Sequence, residues 1–202
     1  MTSILSSFWL YLVAVFFFTL LMGILVSVLG KTFPTLMRPK IVGHRVFEIK
    51  RRSGAKSLVL LASDLDMVAM HVRQIPSIAI DLVEVNDAPM TIVYPGAQYL
   101  APNVIAEDGS VGIRIPFVDE ETAGSLKGAD FCRELTKRLR RPLVSTSANI
   151  SGEPTPSCWK EISEDIKNAV DWCAPKYLEN GTGRASQIIK LGLKGEVEII
   201  RA

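Results

Sequence analysis

The stretch Pro142-Leu143-Val144-Ser145-Thr146-Ser147-Ala148-Asn149-Ile150-Ser151-Gly152 constrains this chain more than any other. Leu143 and Val144 read as the end of a buried strand, because an apolar pair runs straight into polar residues. Ser145, Thr146, Ser147, Asn149 and Ser151 crowd the loop that leaves it, and Gly152 closes the loop. Together they offer donors and acceptors to an oxyanion or a base edge without fixed charge. In open α/β sheets, ligands bind at such strand ends. The plainer alternative is a loop whose Ser, Thr and Asn side chains cap its own backbone and the next helix.

The flanking sequence alternates between strand and helix patterns, which predicts an α/β fold in a single domain of 202 residues. Ser57 to Ala62 is a continuous apolar run suited to a buried strand. Asp64 is placed to cap a helix with Leu65, Val68 and Val72 on one face, ending before Pro76. Ser77 is placed to cap a second, with Ile78, Leu82 and Val85 aligned. Thr91 to Tyr94 and Val111 to Ile115 read as strands, separated by turns at Pro95-Gly96 and Asp108-Gly109. Phe131, Leu135 and Leu139 recur every four residues and predict an amphipathic helix, its other face carrying Arg133, Lys137, Arg138 and Arg140. Ser157 is placed to cap a helix using Ile162, Ile166 and Val170. Ser186 to Leu191 and Glu196 to Arg201 read as two closing strands.

Composition removes several chemistries. A net charge of +2 is too small to argue for nucleic acid by itself. Cys132, Cys158 and Cys173 form no Cys-x-x-Cys pair, which argues against zinc and a disulfide framework and for reduced thiols in cytosol. His44 and His71 are the only histidines and have no ligand-like spacing, so a histidine triad or metal site is set aside. Any chemistry falls to Ser, Thr, Asn, Lys and Arg.

Four motifs, in one order, carry a family likeness. Ser145 to Gly152, entered through Arg141-Pro142-Leu143-Val144, resembles the signature loop of the YrdC/Sua5 family, the threonylcarbamoyl-AMP synthases. Val111-Gly112-Ile113-Arg114-Ile115-Pro116 resembles that family's strand carrying an arginine. Ala88-Pro89-Met90-Thr91 is similar to its Gly-Pro-x-Thr turn, with alanine in the glycine's place. Lys50-Arg51-Arg52 followed by Lys56-Ser57-Leu58 is similar to its Lys-x-Arg…Lys-x-Leu segment. The likeness covers about residues 45 to 191 and is to the short type, without the extra Sua5 domain.

This resemblance implies a YrdC-like twisted mixed sheet flanked by helices, over residues 44–202. It also implies a reaction: L-threonine, bicarbonate or CO2, and ATP give threonylcarbamoyl-AMP and pyrophosphate. The product is then passed to the tRNA threonylcarbamoyl transferase machinery. In such adenylyl transfer, charge builds on phosphate oxygens, so the site needs cations and donors more than a proton-shuttling base. By resemblance Lys50, Arg52 and Arg114 are the catalytic cations. Lys50 and Arg52 would grip the triphosphate or the threonine carboxylate, and Lys56 would add charge nearby. Thr91 would line the threonine and phosphate pocket with Arg114, while Ser145, Ser147, Asn149 and Ser186 would hold the nucleotide. ATP is the implied substrate and Mg2+ is expected with its phosphates, with no metal ligands named in the chain. Without the family, Lys50-Arg51-Arg52 reads as a solvated basic helix end and Arg114 as a surface strand arginine. Two other readings stay open: a double-stranded RNA-binding module, and a membrane-anchored non-catalytic relative.

Residues 1–43 break the likeness. From Phe8 to Leu29 only Thr19, Gly23 and Ser27 interrupt the apolar residues, which predicts a single membrane-spanning helix. Lys31, Arg38, Lys40 and Arg45 follow, placing the domain in the cytoplasm. Members of the family instead begin with a strand and loop resembling Gly-Gly-Val-x-x-Tyr-Pro-Thr-Asp-Thr. The codons of Val13 to Val28, read from each codon's last base, permit Gly-Gly-Val-x-x-Tyr-Pro-Thr-Asp-x-x-x-Gly-Ile-Gly. Residues 1 to about 43 are therefore expected to be a frameshifted translation, leaving the family's first strand and loop missing.

Overall fold

Alternation along the strands sorts their side chains onto two faces of one mixed sheet. A computed structural model describes residues 12–18, 22–28, 44–51, 58–179 and 185–202. The strands are β1 (Leu12–Phe18), β2 (Met22–Val28), β3 (Val59–Leu61), β4 (Met90–Tyr94), β5 (Val111–Arg114), β6 (Leu143–Ser145), β7 (Trp172–Cys173), β8 (Gln187–Leu191) and β9 (Val197–Arg201). The helices are α1 (His44–Ile49), α2 (Leu65–His71), α3 (Ser77–Glu84), α4 (Gly128–Leu139) and α5 (Glu164–Ala169). The strand order is β7-β1-β2-β6-β3-β5-β4-β8-β9. Its body is the six strands from β6 to β9, in which β3–β5 and β4–β8 pair parallel and the remaining pairs antiparallel. The expected α/β class and mixed sheet are what the chain adopts.

The apolar N-terminal run corrects one expectation. Leu12–Phe18 and Met22–Val28 form an antiparallel pair, and β2 joins the body through Ser27 opposite Val144. The segment is rich in β-branched and aromatic residues, which suit a pleated ladder as well as a helix. Its backbone groups find partners on the β6 side of the sheet. Among the described residues no helix is long and apolar enough to cross a membrane, so the membrane-helix reading of residues 8–29 is withdrawn.

One face of the body is apolar throughout. Leu60, Ile92, Ile113 and Val144 pack there with Met67 and Val68 of α2 and Ala79 of α3. On the other face, Leu61 and Leu143 meet Val46 of α1, Cys132 of α4 and Ile166 of α5. Burying these side chains is the main stabilising term, on the order of 2 kcal/mol for each large one.

Local signals fare unevenly. Asp64 caps α2 as expected, its carboxylate accepting from the Met67 N–H at 2.8 Å. Ser77 does not cap α3 but is its first residue, with Pro76 in the capping position. The Ser157 hydroxyl and N–H both donate to the Glu161 carboxylate, at 2.7 and 2.6 Å. That ring closes a 3-10 turn over Trp159–Glu161, and α5 starts only at Glu164, behind Ser163. Ala88, in the glycine's place, does not take a positive φ, and the Asn86 side chain closes the turn around it. Alanine therefore costs that turn nothing.

Candidate active site

The register aligns a second, more polar set of residues on the face opposite Val144. Val59 sits across from both Ser145 and Gly112, and Gly112 across from Val93. In the next row Leu61 lies between Leu143 and Arg114. Gly112 keeps this face shallow: a Cβ there would stand 3.7 Å from methyls of both Thr91 and Val59, in ordinary contact. Any longer side chain would fill the floor.

At one end of the floor lies a buried hydroxyl pair. Thr91 Oγ1 and Ser186 Oγ are 3.0 Å apart, and both residues are 2% exposed. Arg201, from the last strand, donates to the Ser186 carbonyl through Nε at 2.9 Å and Nη2 at 2.6 Å, and to Ser186 Oγ at 3.1 Å. Either hydroxyl of the pair can donate to the other, because Ser186 Oγ keeps a free lone pair after accepting from Arg201.

Arg114 is half-buried, and its Nε is shielded from solvent without a partner. Burial pulls its pKa down to about 10; the charge of Arg201 acts in the same direction and Cys132 in the opposite one. Burial pushes the Cys132 thiol itself up to about 12, so it stays neutral. Ser145 Oγ, on the same face, is also shielded and unpartnered. The two orphans belong to β5 and β6, with β3 between them, Arg114 lying in the row next to that of Ser145. A buried polar atom without a partner costs roughly 1–3 kcal/mol, so two on one face mark a place for a ligand. Among the described residues, neither Arg114 nor Arg201 has a carboxylate partner.

Lys50 takes a different position. It follows α1, is 3% exposed, and its Nζ donates to the carbonyls of Ser147 and Asn149, each at 2.6 Å, and to Asn149 Oδ1 at 3.1 Å. The Ser151 N–H returns a bond to the Lys50 carbonyl at 2.9 Å. Lys50 thus holds the strand-end loop from below. Ser147 Oγ donates to Asn149 Oδ1, and Asn149 Nδ2 to the Glu153 carbonyl, so both side chains brace the loop itself. The site therefore brings together Thr91, Ser186, Arg114 and Ser145, with Lys50, Ser147 and Asn149 as the frame of its rim. Arg52 and Lys56 lie outside the described residues. Arg201 and Gly112 were not singled out by sequence reasoning; a register shift between Ile188 and Ile189 sets Arg201 opposite Ile188, in line with Thr91, whereas simple alternation from Ile199 would have put it on the other face. Among the described residues no three His, Cys, Asp or Glu side chains gather as a metal site.

Comparison with known proteins gives this geometry a setting. The family model Sua5/YciO/YrdC, described as telomere recombination, matches residues 34–202. The threonylcarbamoyl-AMP synthase of Pyrococcus abyssi is 24% identical over 148 residues, covering 73% of this chain and 40% of that protein. The threonylcarbamoyl-AMP synthase of Idiomarina loihiensis is 25% identical over 153 residues, 74% of each chain. The chain thus spans well under half of the first relative and about three quarters of the second. The crystal structure of P. abyssi Sua5 complexed with L-threonine superposes with a TM-score of 0.56 at 24% identity, over 73% of this chain and 40% of that one. That likeness is one of fold. The family match runs through α1, the arginine strand, the strand-end loop and the closing strands, and the chain belongs to the Sua5/YciO/YrdC family.

Proposed function

We propose that the domain is a threonylcarbamoyl-AMP synthase. Threonine's amine adds to CO2 and loses a proton, giving a carbamate. A carbamate oxygen then bonds to the α-phosphorus of ATP, the bond from that phosphorus to the bridging oxygen breaks, and pyrophosphate leaves. Such a step needs cationic donors fixed where phosphate charge develops. One observation supports this reading best: the unpartnered Arg114 Nε and Ser145 Oγ share a face with the Thr91–Ser186–Arg201 chain. Arg114 and Arg201 would receive the anionic groups, Thr91 and Ser186 would orient threonine or phosphate, and Ser145 would meet the nucleotide. Lys50 acts as a positioning residue that keeps the Ser147–Asn149 loop in place, while Arg52 and Lys56 would bring further charge. The described residues offer no acidic cage for Mg2+, which would arrive on the triphosphate, and no step is drawn through it.

The test is pyrophosphate release that requires ATP, threonine and bicarbonate together. Arg114→Ala is expected to lower it by about 100-fold or more. We also propose that residues 1–43 are a frameshifted translation, so a second version with the shifted frame restored is assayed beside the first, and the locus is resequenced. No release from either version overturns the synthase reading. A confirmed, unshifted reading frame overturns the frameshift.

A further inference from the structure

We propose a second ligand site, for a small amphipathic anion, in a cavity of about 610 Å3 on the opposite face of the sheet from the candidate active site. Its volume is that of a small-molecule pocket. The floor is apolar, from Leu60 and Val144 of the sheet and Val104 of the following loop, all nearly inaccessible to solvent. Its rim carries Arg140 and Arg141, both exposed, and no carboxylate lines it among the described residues.

Two features show that the mouth is built. Tyr99 is 85% exposed and has φ 54, a conformation an aromatic residue adopts only when its surroundings impose it. The neighbouring Gln98 imposes it: its N–H donates to the His71 carbonyl at 2.9 Å, and its Nε2 to the Val72 carbonyl at 3.1 Å. Across the cavity Arg140 also has positive φ, 53, where it ends α4 and turns the chain toward Pro142. Two of the four described non-glycine residues with positive φ therefore flank one opening. Inside it, His71 Nδ1 is shielded and without a partner.

An apolar floor, an aromatic ring held at the edge, a free imidazole nitrogen and two guanidiniums fit one ligand class. Its body is flat or aliphatic, and its single anionic head is a carboxylate or a phosphate. Such a ligand could be a fatty or aromatic acid, or a nucleoside monophosphate whose base stacks on Tyr99.

The experiment titrates the full chain with 1-anilinonaphthalene-8-sulfonate, an aromatic monoanion, by fluorescence. Saturable binding at one site is expected, weakened at least tenfold by Arg141→Glu and by Tyr99→Gly. Glycine accepts the positive φ, so the second variant keeps the fold, as circular dichroism will show. Arg114→Ala is expected to leave the affinity unchanged. Competition by decanoate assigns the site to acids, and competition by AMP assigns it to nucleotides. The proposal is overturned if both variants bind the dye as before, if Arg114→Ala abolishes binding, or if neither competitor displaces the dye.

Discussion

Gly112 and Ile113 are neighbours in β5 and occupy opposite faces of the sheet, and they show how the two faces differ. Ile113 is enclosed with Leu60, Ile92 and Val144, all on the face covered by α2 and α3. Gly112 lies among Val59, Thr91 and Val93 on a floor left partly open. The first face is apolar along its strands and covered by helices, with one cavity beside Leu60 and Val144. The second keeps Arg114 Nε and Ser145 Oγ unpartnered, which lowers stability and leaves donors in place for a ligand. One strand thus supplies stability with its odd-numbered residues and the candidate site's floor with the even-numbered ones.

The largest effect is expected where the packed face is cut. Ile113→Ala removes a side chain that is 2% exposed and should destabilise the domain by about 4 kcal/mol. Turnover per folded molecule should stay near that of the parent. Denaturant unfolding measures the first and pyrophosphate release at low temperature the second. A large fall in turnover per folded molecule would show that the faces are not separable.

Gly112→Leu should reverse the pattern. The backbone there is not in the left-handed region, and a Cβ makes only ordinary contacts, so stability should shift by less than about 1 kcal/mol. The rest of the side chain would lie over the floor between Val59 and Thr91, and turnover should fall about 100-fold. Unchanged turnover would place the reaction elsewhere.

This division was partly legible in the sequence. Leu143-Val144 running into Ser145 announces a buried strand and a polar loop, and Asp64 announces a helix start, because both signals act within a few residues. Ser77 and Ser157 misled, since a serine hydroxyl can cap, lie within the helix or donate to a nearby glutamate with equal ease. The apolar run before Gly30 misled for a different reason: hydropathy does not distinguish a strand pair from a helix when nearly every residue is apolar. Lys50 was singled out from the sequence but its posture was not, because its long stem could place the charge on a ligand or beneath the loop. Arg201 was hidden in a strand exposed along its length, where alternation has no buried face to reveal it.

The smallest expected effect concerns the charge on the open face. Folding pulls Arg114 down to about 10, chiefly by burial, with Cys132 opposing the shift and Arg201 adding to it. A depressed pKa on a base means the folded site resists the cation at every pH below about 10, and that resistance is lost as pH rises above 10 toward the ordinary arginine value. An anion bound beside Arg114 opposes the shift, so the protonated form is the one that binds. The Kd for ATP, measured by calorimetry, should therefore stay level from pH 8 to 9 and rise above about 10, approaching tenfold per pH unit. Cys132, the neighbour on the helix side, holds its proton to about 12 and does not blur this window. Arg201→Gln removes one positive charge that presses on Arg114, so the rise should begin at higher pH even though affinity falls overall. A rise that begins at the same pH in the variant would mean that burial alone tunes Arg114, and that the two guanidiniums do not share one anion.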